Sequence, residues 1–326
     1  MHLVISSYGT VLAKENEMFA IINHNGKQLI TPQEVKSITI SKGARISSDA
    51  VLLAISHEID VVFVDQKGMP QGRIWSHHYG SIATIRKNQL EFIYSSESIK
   101  WIKSIILEKI DNQIALLLTL DTDDDRLNRI IKRSIRAMMD YKGKLAQLQG
   151  KIIPDIATSL RGWEGAASKR YFETIAEYMP SFYRFQGRTQ HPAADPFNAL
   201  LNYGYGMLYG KIEGALIKAG IDPYVGVFHR DDYNRPVLVY DVMEKFRVWI
   251  DYVVVRLCRE EVFPEDQFVR KEGGVWIEGI VKRILIQAIQ DYLSEIITYR
   301  RLQRSRENHI QLYAQELASY FQGLKS

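Results

Sequence analysis

The hydrophobic period of this chain changes at residues 89–120, which read QLEFIYSSESIKWIKSIILEKIDNQIALLLTL. Apolar residues recur there every three or four positions, the spacing of a helix that buries one face. The following stretch, DRLNRIIKRSIRAMMDYKGKLAQL, continues this pattern. Before residue 88 the pattern is that of short strands, so the sequence predicts a β-rich part followed by a helical part.

The N-terminal part is predicted to consist mainly of strands. Its segments HLVISS, MFAIIN, KQLITP and VKSITIS are rich in β-branched residues and are bounded by turn residues. The motif NHNG at 23–26 is typical of a hairpin turn. Residues 47–59 predict one short helix, and residues 60–76 predict a strand, a turn and another strand. We therefore expect a small β-rich domain over residues 1–80.

The rest of the chain is predicted to be helical. A polar, glycine-containing segment predicts a hinge at residues 81–90, followed by an α-helical domain over residues 91–326. The fold class is therefore expected to be α+β, a small N-terminal β-rich domain followed by a larger all-α domain. Beyond residue 150, helices are predicted at 164–179, 196–219, 237–260 and 275–323, with prolines at their joints.

The composition excludes several classes of protein. No apolar run reaches the roughly 18 residues that a membrane span needs, and the N-terminal stretch carries no secretory signal. The single cysteine, Cys258, excludes an intrachain disulfide and a cysteine-based zinc site. These features predict a cytoplasmic protein that does not associate with membranes.

The charge distribution permits a nucleic acid partner. The net charge is +4, and residues 1–85 carry seven basic and seven acidic residues, so the positive excess lies in the helical part. The sequence has no Walker-type phosphate loop, GxGxxG, HExxH or GxSxG motif. Carboxylates and histidines are therefore the candidates for catalytic chemistry.

Glu164 is the first candidate, within RGWEGAASKRYF (161–172). Its neighbours Gly162 and Gly165 would let another group approach this carboxylate closely. Alternatively, Glu164 is an acidic residue in the first turn of a helix, where the helix dipole stabilises it.

A second candidate group lies in PYVGVFHRDDYNRPVLVYDVMEKFRVW (223–249). His229 ends an apolar run and enters a polar turn. Asp241 and Glu244 are three positions apart, so they share one face of a helix that is apolar nearly all round. Such a helix is expected to be buried, and buried carboxylates need partners.

Two kinds of partner remain open for these carboxylates. One is an ion pair with Lys245, Arg247 or Arg230. The other is a divalent cation, for which oxygen ligands favour Mg²⁺ and an imidazole shifts the preference towards Mn²⁺. His191, in QHPAADP, is an alternative histidine ligand.

Basic residues form a stripe on one predicted helix. Its arginines recur at helical spacing opposite an apolar face. This arrangement is suited to contacts with nucleic acid phosphates. Alternatively, it is the solvated face of an amphipathic helix. The cluster YRRLQRSRENH at 299–309 has the same two interpretations. The stripe consists of Arg126, Arg129, Arg133 and Arg136.

Asn198 lies in a predicted helix that Asp195 caps and Pro196 begins. It either forms hydrogen bonds inside the core or lines a site.

Three blocks together resemble one family: RGWEGAASKRYF, DPFNALLNYGYGML and GIDPYVGVFHRDDYNRPVLVYDVMEKFR. In order and spacing they resemble the CRISPR-associated spacer integrase, the catalytic subunit of the CRISPR adaptation module. The resemblance implies a metal-dependent DNA endonuclease and integrase that inserts short DNA duplexes into a CRISPR array by 3′-hydroxyl attack on a phosphodiester. It also implies a homodimer formed through the β domain and a small second adaptation subunit that bridges two dimers.

The resemblance implies roles for individual residues. Glu164, His229 and Glu244 match the family's ligands for a divalent metal, Mg²⁺ or Mn²⁺. Asp241 matches a neighbouring catalytic aspartate that binds the metal or supports the site, and Asn198 matches a polar residue near the pocket. The family often carries a basic doublet before its second block, where this chain keeps only Arg188 and His191. Contacts with double-stranded DNA are expected from Arg126, Arg129, Arg133, Arg136, Arg188, Asn198, Arg230 and Lys245.

Two other functions remain open on the residues alone. One is a dimeric DNA-binding scaffold without catalysis, in which the carboxylates form structural ion pairs. The other is a general metal-dependent nuclease that does not integrate DNA.

Overall fold

The chain begins with two small sheets and one helix. In chain order these elements are β1 (His2–Ile5), β2 (Val11–Glu15), β3 (Met18–Asn23), β4 (Gly26–Ile30), β5 (Ser37–Ser41), β6 (Arg45–Ile46), α1 (Ser48–Ser56), β7 (Asp60–Val64) and β8 (Pro70–Arg73). The structure, a computed structural model, describes residues 1–65, 68–74, 83–120, 122–190, 192–229 and 235–324.

The first sheet has the order β1-β5-β7-β8, with β8 antiparallel to β7 and the other pairs parallel. The second has the order β4-β3-β2-β6, and β3 and β4 form the hairpin predicted at 23–26, where Asn23 pairs with Gly26. Side chains from both sheets and from α1, including Leu12, Phe19 and Ile38, form a separate small core. The β-rich N-terminal part is therefore confirmed.

The second part is mostly helical. Its elements are α2 (Ala83–Ile93), α3 (Ser96–Leu118), α4 (Asp125–Gln147), α5 (Ile153–Tyr178), α6 (Pro196–Lys218), α7 (Val237–Met243), α8 (Arg247–Arg259), β9 (Phe268–Lys271), β10 (Gly274–Ile277), α9 (Gly279–Ser294), β11 (Ile296–Tyr299), β12 (Leu302–Ser305) and α10 (Arg306–Gly323). They surround a single large hydrophobic core. The predicted α+β class is confirmed.

No helix in the described ranges is both long enough and apolar enough to cross a bilayer.

The helical part differs from the prediction in several places. The residues from Ala83 onward in the expected hinge at 81–90 are helical, because α2 buries Ile85 and Phe92 against the main core. The stretch predicted as one helix at 275–323 contains two strands, β11 and β12, whose turn residues Arg300 and Arg301 both have positive φ. The second part is therefore not purely helical, since β9–β10 and β11–β12 are antiparallel hairpins.

Two helix boundaries bear directly on the candidate site. The helix predicted to begin at residue 164 begins at Ile153, with Pro154 in its first turn. The helix predicted over 237–260 is interrupted between Met243 and Arg247, where consecutive i to i−3 backbone hydrogen bonds tighten the chain. Glu244 therefore lies at a joint between two helices, and Glu164 lies in the interior of a long one.

The two parts of the chain are joined by close packing of β8 and its preceding turn against α6. At Gly206 an added Cβ would lie 2.8 Å from the Gly68 carbonyl oxygen, so this approach requires glycine. The guanidinium of Arg73 donates hydrogen bonds to Asp60 on β7, and to Glu213 and the Gly210 carbonyl on α6. A buried ion-pair cluster thus connects the small domain to the helical core.

Candidate metal centre and nucleic acid interface

The candidate metal centre lies where α3, α5 and the joint between α7 and α8 meet. Lys109 projects from the buried face of α3, Glu164 from the interior of α5, and Glu244 from the end of α7. The fold therefore brings the predicted residues Glu164 and Glu244 together, and it places between them a lysine that the sequence analysis did not select.

Lys109 connects the two glutamates. Its ammonium donates a hydrogen bond to Oε1 of Glu164 and lies 2.6 Å from Oε2 of Glu244. Only 6% of Lys109 and 5% of Glu244 are exposed to solvent. Burial lowers the pKa of Lys109, but the charges of Glu244 and Glu164 outweigh that effect and raise it above its ordinary value. Lys109 is therefore a charged ammonium held between two carboxylates.

Glu244 is ionised despite its burial. Burial raises its pKa, but Arg247 and Lys109 outweigh that effect and lower the pKa to about 2. Arg247 Nε donates to Oε1 of Glu244 at 3.0 Å. The other oxygen, Oε2, is buried and lies 2.6 Å from the ammonium of Lys109. A buried carboxylate oxygen beside a cation is also a suitable ligand for a divalent metal ion.

His229 is oriented by Asp241. One carboxylate oxygen of Asp241 accepts the backbone N–H groups of Val227 (2.6 Å) and Phe228 (3.1 Å), and the other accepts the backbone N–H (3.0 Å) and Nδ1 (2.7 Å) of His229. Because a carboxylate only accepts, Nδ1 carries the proton, and Nε2 is left as the metal-binding nitrogen, 3.9 Å from Oε1 of Glu244. These bonds favour the supporting role among the two roles considered for Asp241.

The residues present suit a divalent metal. Two carboxylates and one imidazole are ligands that Mg²⁺ and, with more affinity for nitrogen, Mn²⁺ accept. Within the described ranges, however, no three His, Cys, Asp or Glu side chains already form a metal-binding group. Instead, the Lys109 ammonium lies between the carboxylates of Glu164 and Glu244.

The structure shows which helix position and which ion pairs the carboxylates have. Glu164 is not in a first helical turn, so the helix dipole does not account for its position. Glu244 does form an ion pair with Arg247, one of the three cations considered, while Lys245 turns to the opposite side of the joint. There Lys245 is buried and binds Glu108, which also accepts the hydroxyl of Tyr299.

Three of the predicted DNA contacts have other partners. Lys245 is 4% exposed and is held by Glu108, so it does not present its charge to solvent. Asn198 is fully buried, and its amide binds Asp195 and the Gly187 carbonyl. Arg188 donates to Asn198 at 2.5 Å and to Asn202 at 2.6 Å. The charges and amides of these side chains are bound within the protein in this structure, and direct DNA contacts from them stay a prediction.

Asp251 forms a second buried polar group beside the centre. It accepts hydrogen bonds from the hydroxyls of Tyr171 (2.9 Å) and Tyr205 (2.6 Å). The guanidinium groups of Arg188 and Arg247 both lie against the ring of Tyr205, at 5.3 Å and 4.8 Å from its centroid. Arg247 therefore links the Glu244 carboxylate to a hydrogen-bonded network behind it.

The predicted arginine stripe is exposed. Arg136 lies on the surface of α4, and Arg126, Arg129 and Arg133 line a groove of about 970 Å³ between α4 and α5. Arg170 and Arg184 extend the basic lining of this groove, while Glu173 and Glu177 provide partial neutralisation. Basic residues from three segments thus converge on one groove beside the helix that carries Glu164.

Two predicted residues, Arg230 and the alternative ligand His191, lie outside the described residues.

Lys109 was not among the predicted site residues, although the sequence carries a signal for it. Lys109 follows Ile102 by seven positions and Ile106 by three, so helical spacing places it on the apolar face of α3. A lysine on such a face needs a buried anion, because isolated charge in a low-dielectric interior is costly. No local pattern indicates which carboxylate supplies it.

The sequence of this chain is similar to those of known proteins over nearly its whole length. The family model described as "CRISPR associated protein Cas1" matches residues 3–291. The CRISPR-associated endonuclease Cas1 1 of Archaeoglobus fulgidus is 31% identical over 337 residues, which cover 99% of this chain and 97% of that protein.

Solved structures show the same fold. A casposase bound to its integration product superposes with a TM-score of 0.84 at 20% identity, covering 100% of this chain and 91% of that one. A Cas6-RT-Cas1–Cas2 complex superposes with a TM-score of 0.81 at 19% identity, covering 98% of this chain and 35% of that one.

Proposed function

This chain belongs to the Cas1 family of CRISPR-associated proteins, and from that premise we propose that it is a metal-dependent DNA endonuclease and integrase. Its substrates are short DNA duplexes, which it inserts as new spacers into a CRISPR array through 3′-hydroxyl attack on a phosphodiester. The relative from Archaeoglobus fulgidus is named an endonuclease, and the casposase was solved with an integration product. The observation that carries the proposal is the convergence of Glu164 and Glu244 on one cation, with His229 beside them.

Glu164, His229 and Glu244 would hold the metal. Bound there, Mg²⁺ or Mn²⁺ would polarise a phosphoryl oxygen and stabilise the charge that develops during phosphodiester exchange. Arg247 and Asp241 would keep Glu244 and His229 in place, since each already binds one of these side chains. Little further chemistry is required from the protein, because this reaction depends mainly on positioning and charge stabilisation.

The arginine-lined groove is proposed to hold the DNA backbone. Arginines contact phosphates without reading bases, so this surface would position duplexes of any sequence. Gly162 and Gly165 on α5 have open space around them, with no atom within 4 Å of an added Cβ. They would allow a DNA strand to pass close to the backbone beside Glu164.

The assembly is proposed to contain a homodimer and a small second adaptation subunit. The solved Cas6-RT-Cas1–Cas2 complex contains both Cas1 and Cas2. The N-terminal domain over residues 1–80 is the proposed dimer interface. Its exposed apolar side chains Tyr8 and Leu52, which are 92% and 62% exposed, would be covered there.

A strand-joining assay tests the function. Purified protein is incubated with a repeat-containing plasmid, Mn²⁺ or Mg²⁺, and duplexes that carry or lack terminal 3′-hydroxyls. Integration requires the hydroxyl, whereas products from both duplexes would identify a nuclease that does not integrate. Glu164→Ala, His229→Ala and Glu244→Ala should abolish joining while duplex binding is retained.

Two results would overturn parts of this proposal. Normal joining by His229→Ala in Mn²⁺ would show that His229 is not a ligand. Duplex binding without any metal-dependent DNA product, with second subunit present, would instead identify a DNA-binding scaffold.

A further inference from the structure

Lys109 occupies the position that a metal ion would need. Both of its anionic contacts, Glu164 and Glu244, are proposed metal ligands. Its backbone cannot move away easily, because α3 buries Ile102, Ile106 and Ile110 in the main core. The ammonium therefore stays close to the centre whether or not it keeps these two contacts.

The charges around Lys109 are nearly balanced without a metal. Glu164, Asp241 and Glu244 contribute three negative charges, and Lys109 and Arg247 contribute two positive ones. These five side chains together therefore have a net charge of −1. A divalent cation would leave an excess positive charge in a largely buried place, and one DNA phosphodiester would neutralise it. Metal and DNA are therefore expected to bind together more readily than either binds alone.

We propose that Lys109 is a built-in competitor of the metal: it holds Glu164 and Glu244 together in metal-free protein, and metal binding transfers its ammonium to a DNA phosphate oxygen. This inference rests on the proposed function. It assigns Lys109 two roles, the stabilisation of the metal-free site and the coupling of metal binding to DNA binding.

The test is a measurement of Mn²⁺ affinity by calorimetry for full-length wild-type protein and Lys109→Met, each with and without a short duplex. Without DNA, the variant should bind Mn²⁺ about tenfold more tightly, because the metal no longer displaces a charged hydrogen bond of about 1.5 kcal/mol. With DNA, the wild-type affinity should rise severalfold, whereas that of the variant should change little. Lys211→Met is the matched control, since Lys211 also binds a carboxylate, Glu307, outside the centre; its Mn²⁺ affinity should equal that of the wild type.

A structural role alone predicts the opposite result. If Lys109 only maintained the fold, Lys109→Met would distort the ligands and weaken Mn²⁺ binding. Equal affinities in wild type and variant, with joining activity intact in the wild type, would overturn this inference and leave the proposed function standing. No Mn²⁺ binding by either protein would overturn both.

Lys109→Arg covers the case in which Lys109→Met does not fold. Arginine keeps the charge and can bind both carboxylates, so Mn²⁺ should raise the melting temperature of this variant no more than that of the wild type. A larger rise in the variant would contradict competition between residue 109 and the metal.

Discussion

Among single residues, Asp241 determines most directly how His229 is presented. Among the described residues, its carboxylate accepts hydrogen bonds from the segment 227–229, including one from Nδ1 of His229. Asp241→Asn would put an amide donor against these N–H groups and release the imidazole. We expect it to weaken Mn²⁺ binding about 10- to 100-fold, the usual cost of losing a partner behind a metal-binding histidine.

Calorimetry with Mn²⁺ measures this effect. Asp195→Asn serves as the control, because Asp195 also accepts a backbone N–H, that of Asn198, but caps α6. Equal Mn²⁺ affinities for Asp241→Asn and Asp195→Asn would show that Asp241 does not orient His229.

The raised pKa of Asp251 predicts that the stability of the folded protein depends on pH. Burial raises its pKa to about 6, although the hydroxyls of Tyr205 and Tyr171 lower it. The unfolded chain has a lower pKa of about 3.9 for this group, so the folded state binds more protons between these values. Its contribution to the free energy of unfolding is therefore fully present below pH 4 and is lost as the pH rises through about 6.

Asp251→Asn should flatten this dependence. Melting temperatures of the wild type and of Asp251→Asn are measured from about pH 4 to pH 7. The difference between the two melting temperatures should change over that range by an amount that corresponds to about 2–3 kcal/mol in the free energy of unfolding. Parallel curves over that range would mean that Asp251 does not titrate there.

At the scale of secondary structure elements, α4 has one buried apolar face and one exposed basic face. It buries Leu127, Ile131 and Met138 and exposes its arginines to the groove shared with α5. If that groove holds the DNA backbone, Arg129→Gln together with Arg133→Gln should remove two phosphate contacts. The slope of log Kd against log salt should then decrease in magnitude by about 2.

Fluorescence anisotropy with two duplexes of unrelated sequence measures this slope. The loss should be the same for both, because phosphate contacts carry no sequence information. An unchanged slope would assign the stripe to ordinary solvated surface.

The elements also show what the sequence could and could not predict. Residues 196–219 were predicted within one residue of α6, because proline and aspartate begin it and its apolar content is continuous. The joint at Glu244 was missed, since no glycine or proline interrupts the apolar run from Val237 to Trp249. The hairpin β11–β12 was missed because nothing in two consecutive arginines indicates that both adopt positive φ.

The candidate metal centre, too, could be predicted from the sequence only in part. Glu164 and Glu244 were candidates on their local sequence and were assigned as metal ligands because the three blocks resemble a known family. Their joint contact with Lys109 depends on how α3 packs against α5 and the α7–α8 joint. Long-range contacts of this kind leave no local periodicity. The wrong boundary for α5 had a different, local cause, because its two internal glycines were interpreted as a helix start.

At the scale of the whole molecule, Arg73 ties the small domain to the helical core. Its side chain is 8% exposed and binds Asp60 in the first sheet and Glu213 on α6. Arg73→Met would leave both carboxylates half-buried without their cation. We expect the free energy of unfolding to fall by about 3–5 kcal/mol, the cost of breaking a buried ion pair on one side.

Urea denaturation monitored by circular dichroism measures this loss. Arg45→Met, at an exposed position on β6, should change stability by no more than about 0.5 kcal/mol. Similar midpoints for the two variants would show that the ion pairs do not hold the domains together.

The helices that supply Lys109, Glu164 and Glu244 are far apart in the chain, and His229 comes from a loop between two of them. During translation, therefore, more than two thirds of the polypeptide is synthesised before Glu244, the last of these residues, is added. Any chain that ends before residue 244 would lack at least one of them. Unfinished copies of the chain therefore cannot assemble the proposed metal centre.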